Sequence, residues 1–306
     1  MPIKVMAAPK DAQKLLQAGI EKHLAAGLVD AELALNEGAS GMLDKDGNYV
    51  RMTIQAGEKV FQSFFLEITN PGGHSSVPTK DNAIYRMADA LSRLGKFDFP
   101  VHLSDITRAY FERMSSVETG ETAADMKAIL RDPPDPEALA RLSQNPFNNA
   151  TLRTTCVATM LQAGHAQNAL PQRAQATVNC RILPNDSPEE TYRTLVGVLA
   201  DDGIRVTPAN EPQPSPLPPH NADLTLAVET VSANLWPGVP VVNTLSTGAT
   251  DGRFFNNAGI PTYGVSGLFR DPDGSGVHGL NERIRVRSLY EGQEFLYRVV
   301  KGLGGR

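Results

Sequence analysis

The run Val60-Phe61-Gln62-Ser63-Phe64-Phe65-Leu66-Glu67-Ile68-Thr69, broken by Asn70-Pro71-Gly72-Gly73-His74-Ser75-Ser76-Val77-Pro78, decides the fold. Aromatic and branched side chains crowd the first part, which predicts a strand. Pro-Gly-Gly stops it and delivers a histidine on a loop. Glycine lets the backbone take positive φ and approach another surface closely. An imidazole there can donate a proton or a hydrogen bond near neutral pH.

Outward from this run the periodicity alternates. Residues 81–94 place Ile84, Met87, Ala88, Leu91 and Leu94 three and four apart, one face of a helix, with Gly95 as its stop. Residues 154–161 read as a strand. In the next strand Ala176, Val178, Cys180 and Ile182 face one side, while Gln175, Thr177, Asn179 and Arg181 face the other. Arg181 therefore projects from a polar sheet face. Ser187-Pro188-Glu189-Glu190 is a capping box with proline at the first helical position, opening a helix to about Leu199. Residues 204–206 form a short strand. The order strand, helix, strand, strand, helix, strand over about residues 58–210 is that of a split βαβ, ferredoxin-like unit. Residues 96–150 interrupt it as a helical insertion, in which Asp135-Pro136-Glu137 caps a helix through Leu142.

Upstream, residues 11–28 have weak helical periodicity, and residues 31–35 predict a short strand ending at Asn36-Glu37-Gly38. Asp46-Gly47-Asn48 predicts a hairpin turn. Downstream, the proline-rich residues 211–219 read as a linker. Arg283-Ile284-Arg285-Val286-Arg287 alternates and predicts a half-buried strand. Ser288-Leu289-Tyr290-Glu291 predicts a capped start for an amphipathic helix reaching Leu303.

At 306 residues the chain is long enough for about two domains. Its 41% hydrophobic and 21% charged content is that of an ordinary globular protein, and a net charge of −5 gives nucleic-acid binding no electrostatic support. Cys156 and Cys180 belong to no Cys-x-x-Cys pair and read as buried thiols. No segment reaches the apolar length of a membrane span. Residues 1–10 lack the apolar core of a signal peptide, and an earlier gene start would leave export and compartment open.

Five segments carry a resemblance: Gly72-Gly73-His74-Ser75-Ser76-Val77-Pro78, His165-Ala166-Gln167-Asn168-Ala169-Leu170-Pro171, Cys180-Arg181-Ile182-Leu183-Pro184, Thr250-Asp251-Gly252-Arg253-Phe254 and His278-Gly279-Leu280-Asn281-Glu282. In this order and spacing, the chain resembles the dinuclear-zinc family of acetylornithine deacetylase, succinyl-diaminopimelate desuccinylase, aminoacylase and carboxypeptidase G. The insertion and Thr69-Asn70-Pro71 are most similar to its carboxypeptidase S, or Gly-Xaa carboxypeptidase, branch. The resemblance implies an α/β fold: a zinc-peptidase domain, here incomplete, from residues 1–57 and 212–306, with a ferredoxin-like dimerisation and lid domain inserted at 58–211. It implies two zinc ions per complete site and a homodimer formed through the lid. It also implies hydrolysis of a peptide or N-acyl amino acid at the amide next to a free carboxylate. Residue by residue, Glu37 and His278 fall on metal ligands. His74 falls on the lid histidine that crosses the dimer interface to polarise the scissile carbonyl. Arg181 falls on the arginine that holds the substrate carboxylate, Asn168 on an asparagine lining the site, and Gly248 on a backbone contact to substrate.

The family's front half is not matched. None of the six histidines is followed two residues later by aspartate, and the adjacent pair Glu189-Glu190 belongs to the lid's capping box. The resemblance thus implies a chain lacking its N-terminal half and inactive as it stands, or a non-catalytic homodimerising module. Read without the family, Glu37 is a strand-end carboxylate, Arg181 a partner for a sheet carboxylate, Ser75 and Ser76 turn or capping hydroxyls, and Glu282 a hydrogen-bond acceptor. His23, His102, His165 and His220 are given no role.

Overall fold

A computed structural model describes residues 18, 19, 22, 23, 31–277 and 279–304. Its first strands are β1 (Ala34–Asn36), β2 (Gly41–Leu43) and β3 (Tyr49–Glu58). The expected turn closes β2 on β3, because Asp44 Oδ1 accepts from the amides of Asp46 and Asn48 at 2.8 Å each. The chain separates into two compact units, one of Met1–Gly57, Ser215–Val242 and Thr250–Arg306, the other of Glu58–Pro214 and Asn243–Ala249.

The second unit begins with β4 (Val60–Thr69), then β5 (Gly73–His74) and α1 (Ala83–Lys96). The insertion follows as α2 (Asp105–Met114), α3 (Gly120–Ala128), α4 (Pro136–Leu142) and α5 (Pro146–Leu152). Next come β6 (Thr155–Ala163), β7 (Ala169–Leu170), β8 (Arg173–Ile182), α6 (Pro188–Leu199) and β9 (Arg205–Pro208). The main sheet has the antiparallel order β6-β8-β4-β9, the ferredoxin-like arrangement expected from the element order. One face packs on α1 and α6, burying Phe64, Leu66, Ile68, Met87, Ala90, Val178, Cys180, Ile182 and Leu195 together. The helix starts are local: Asn82 Oδ1 accepts from the Ile84 amide at 2.9 Å, and Ser187 Oγ from the Glu190 amide at 3.3 Å. Asp135 caps α4 as the sequence predicts, accepting from the amides of Glu137 and Ala138.

The first unit resumes with α7 (Ala222–Leu235). β10 (Val241–Ser246) starts in this unit and passes into the second at Asn243, and the first continues with α8 (Gly252–Asn257), β11 (Thr262–Gly264), β12 (Phe269–Arg270) and α9 (Val286–Gly304). Five strands of its sheet run in the order β1-β11-β3-β2-β12. Trp236 anchors the core, its ring 4.7 Å from Phe269 and 5.4 Å from Phe295 between centroids. Its indole N–H donates to Glu291, which also accepts from Tyr49 Oη at 2.7 Å.

Four expectations are corrected. Gly95 does not stop α1, which runs through it to Lys96 and ends at Phe97, whose amide donates to the Leu94 carbonyl. Arg283–Arg287 forms no strand: residues 283–285 are irregular, Val286 opens α9, and Arg283 and Arg285 pair with Asp273 and Asp271 instead of lining a ladder. Ser288 does not cap α9. It lies inside the helix, where its hydroxyl accepts from the Phe269 amide at 2.6 Å and donates to the Phe269 carbonyl at 2.9 Å. Cys156 and Cys180 are not thiols but a disulfide, because the β6–β8 register sets them directly opposite with Cα atoms 4.1 Å apart.

Lys59 is 1% exposed, yet carries an amine. Its Nζ donates to the Arg153 carbonyl at 2.7 Å, tying the start of β4 to the end of the insertion. Burial pushes its pKa down to about 7, with nearby Asp186 opposing and Arg181 assisting. Between about 7 and 10.5 the unfolded chain holds this proton and the folded chain does not, so stability rises with pH across that window. Urea unfolding should therefore show the wild type gaining about 2 kcal/mol on Lys59→Met between pH 7 and pH 9. A difference that stays flat with pH would mean that the amine is charged in the folded protein.

Candidate functional site

His74 is held by a two-stranded ribbon. β5 pairs antiparallel with β7, His74 opposite Ala169 and Gly73 opposite Leu170. The ribbon continues the β4–β8 ladder through the Asn70 amide, which donates to the Gln172 carbonyl at 2.9 Å. Gly72 sits at φ +79°, and a Cβ there would stand 2.7 Å from Gln172 Cγ, so the close approach requires glycine. The Ser75 amide donates to the Asn168 carbonyl at 3.0 Å, bringing Asn168 to the histidine loop. The Ser76 amide donates to His74 Nδ1 at 3.2 Å, and Ser76 Oγ lies 2.7 Å from the same nitrogen. An accepting Nδ1 leaves the ring proton of a neutral imidazole on Nε2, which becomes a hydrogen-bond donor.

Arg181 lies at the other end of the sheet, opposite Phe61 on β4 and Thr155 on β6. Its Nε donates to Asn179 Oδ1 at 3.1 Å, and its Cζ stands 4.8 Å from the Phe61 ring centroid. Asn179 Nδ2 in turn donates to Ser63 Oγ at 3.0 Å. The guanidinium is thus oriented by a stacked ring and a hydrogen-bond chain. The ladder from Phe61–Arg181 to Thr69–Arg173 spans eight residues of β4. That is about 27 Å at the usual strand rise, and the ribbon carrying His74 lies beyond it. One copy of this unit does not bring His74 and Arg181 together. Gly248 is half-buried in the same unit, its amide donating to Ser246 Oγ at 3.2 Å.

In the first unit Glu37 is exposed at the end of β1. Its neighbours are tightly fixed. Thr250 Oγ1 accepts from Asn36 Nδ2 at 3.2 Å and from the Gly252 amide at 3.1 Å. A Cβ on Gly264 would come within 3.0 Å of the Glu37 carbonyl oxygen, so β11 presses directly against this strand end. His278 lies outside the described residues. No group of three or more His, Cys, Asp or Glu side chains able to hold a metal occurs among the described residues. A zinc shell takes about three or four protein ligands, so Glu37 and its surroundings do not make one by themselves.

Sequence reasoning missed Ser76 as the partner of His74, Lys59, and the Ser63–Asn179–Arg181 chain. For the last the sequence does carry a signal, the alternation that puts Asn179 and Arg181 on one face. A separate cleft of about 340 Å³ in the second unit is lined by Phe99, Val101, His102, Asp186, Glu190 and Thr194. His102 Nδ1 lies 2.7 Å from Asp186 Oδ1 there, and none of the expected site residues borders it.

A ferredoxin-like sheet that extends a histidine on a ribbon defines a class, and the comparisons agree with it: residues 56–207 match the peptidase dimerisation domain. The likeness is to the M20 peptidase family. It is 28% identical over 256 residues to human N-fatty-acyl-amino acid synthase/hydrolase PM20D1, covering 81% of this chain and 50% of that protein. It is 26% identical over 241 residues to the probable carboxypeptidase S-like 2 of Dictyostelium discoideum, covering 77% and 45%. The chain spans about half the length of the curated relatives it matches. Among solved structures, the M20 family metallo-carboxypeptidase Sso-CP2 of Sulfolobus solfataricus superposes with a TM-score of 0.63 at 20% identity, over 94% of this chain and 66% of that one. Human carnosine dipeptidase 1 gives 0.62 at 12% identity, over 98% and 64%. These two likenesses support the expected α/β fold with its dimerisation domain.

Proposed function

We propose that the protein serves a zinc-dependent hydrolase of carboxypeptidase type, cutting a peptide or N-acyl amide bond next to a free carboxylate, with the second unit as lid and dimerisation domain. The observation that carries this reading is Arg181, oriented by Asn179 and Phe61 on the polar face of the lid sheet, where its planar fork can take a carboxylate by two hydrogen bonds. Names among the relatives point the same way, since an N-acyl amino acid and a carboxypeptidase substrate share a free carboxylate. In this reading Asn168 and Gly248 contact the substrate. Glu37 and His278 would hold metal in the complete site, whose zinc supplies an activated water. His74 would serve the site of a second copy, a reading that the length of β4 supports.

In the active enzyme Arg181→Ala should raise KM for free-acid substrates about 10- to 100-fold, the cost of losing a charge-assisted hydrogen-bond pair. Substrates with that carboxylate amidated should already be poor and should change little. Equal losses for acid and amide would make Arg181 a structural residue.

A second reading is a non-catalytic homodimerising module, supported by the match of residues 56–207 to a peptidase dimerisation domain. The two readings part on zinc content after dialysis together with the rate of N-acyl amino acid hydrolysis in added zinc. Stoichiometric zinc with turnover would exclude the module for this chain. Neither zinc nor turnover would leave the hydrolase reading to an assembly that supplies further ligands.

A further inference from the structure

On β4 and β8 the sheet face packed by α1 and α6 is apolar at every position but one. The exception is Gln62. Register sets Cys156 of β6, Cys180 of β8 and Gln62 of β4 side by side in one row across three strands. Gln62 is only 5% exposed, and its Oε1 has no hydrogen-bond partner among the described residues. A buried acceptor left unpaired costs its full desolvation, and in a folded protein it calls for a reason.

The neighbouring disulfide supplies one. Residues opposite each other on an antiparallel pair have Cβ atoms about 5 Å apart, so Gln62 and Cys180 lie within reach. A disulfide sulfur has no proton to donate, whereas a thiol has one, although it is a weak donor. Reduction therefore creates, beside the orphaned oxygen, the donor that it lacks. A permanent crosslink would be better served by an apolar side chain at position 62. Cys180 is fully buried and Cys156 only partly, so an attacking thiolate reaches Cys156 and Cys180 is the leaving group.

The bond also has something to hold. β6 is an edge strand, and just beyond Cys156 its ladder slips between Ala158 and Met160. A bulge disrupts pairing locally. Past it β6 is joined to β8 by hydrogen bonds, while before it the disulfide pins the strand. The two cysteines are 24 residues apart, and the loop they close contains β7, which pairs with the strand of His74.

We propose that Cys156–Cys180 is a reversible thiol–disulfide site, with a small thiol as co-reactant, that clamps β6 when oxidised and releases it when reduced. The small thiolate bonds to Cys156 Sγ and displaces Cys180 as a thiolate, which takes a proton and offers it in a hydrogen bond to Gln62 Oε1. A second small thiol displaces the first from Cys156, leaving a thiol there and a small disulfide in solution. The protein gains two electrons and two protons, and two small thiols are oxidised.

Equilibration of the whole protein in reduced and oxidised glutathione, then acid quenching, alkylation and mass measurement, tests this. No free thiol should be found at the oxidising end and two at the reducing end, along the same curve in both directions. Gln62→Met keeps the length of the side chain and removes the oxygen acceptor. It should lower the equilibrium constant for reduction about fivefold, the weight of one hydrogen bond. Gln62→Leu should do the same and serves if the methionine form folds poorly. Hydrogen exchange over residues 157–163 should be at least about tenfold faster in the reduced wild type, with exchange in α9 unchanged. Free thiols under oxidising conditions, or a bond that is reduced only after denaturation, would overturn the proposal. So would equal exchange in the two states, or an equilibrium constant unaltered by both Gln62 substitutions, since the bond would then be a fixed staple.

Discussion

Leu161→Asp should convert a dimer of this protein into monomers. β6 is a nine-residue edge strand whose residues from Val157 to Ala163 are all exposed, and an edge of that length invites pairing with another chain. Leu161 lies opposite Ala176, on the same side of the sheet as the α1–α6 core, and is 57% exposed. α1 packs on β6 and presents Ile84 and Tyr85 at its start, the tyrosine 61% exposed. An apolar edge with an apolar helix end beside it suits a two-fold axis, on which the same patch meets itself. Each substituted copy would bury a carboxylate without a partner, at about 2 kcal/mol, and the axis counts it twice. The dimer dissociation constant should rise about 1000-fold. Sedimentation at about 10 μM, against a wild-type dimer, reads this directly, with circular dichroism showing that the fold is kept. Dimers that persist in both Leu161→Asp and Tyr85→Asp would place the interface elsewhere.

What the sequence reveals of this fold follows from how local its causes are. The β4 run, the Ser187 helix start and the Asp135 cap depend on neighbours within a few residues, and each lies where the pattern puts it, while the helix expected from residue 81 starts at Ala83 with Asn82 as its cap. The strand order follows from their sequence, and with it the ferredoxin-like sheet. What stays hidden needs a partner distant in the chain. The β5–β7 ribbon consists of two-residue strands with no alternation to read. Cys156 and Cys180 each read as buried apolar positions, because only the pairing of β6 with β8 makes them neighbours. Ser288 has a capping pattern, but Phe269 supplies both a donor and an acceptor for its hydroxyl. The Arg283–Arg287 alternation imitates a strand until Asp271 and Asp273 are folded against it. Of the candidate site residues, Arg181 was legible as a polar-face side chain, whereas its support by Asn179, Ser63 and Phe61 required the register.

His74→Ala should lower kcat of the active enzyme about 100- to 1000-fold with little change in KM, because a donor to an oxyanion acts mainly in the transition state. Ser76→Ala should have a smaller effect of the same kind. Ser76 supplies a second contact to Nδ1 through its hydroxyl, while its amide would still hold the ring. A drop in kcat/KM that arises through KM alone would assign His74 to substrate binding. The decisive measurement uses two inactive proteins. Since the β4 ladder alone spans about 27 Å between the Arg181 row and Thr69, with His74 beyond it, the proposed site would take its arginine from one copy and its histidine from the other. His74→Ala mixed and re-equilibrated with Arg181→Ala then forms heterodimers in which one site has both groups and the other has neither. With random exchange half the dimers are heterodimers, so about a quarter of wild-type activity should return. No recovery, with exchange of subunits verified by mass, would mean that each copy uses its own histidine and that the strand bends enough to bring the two ends together.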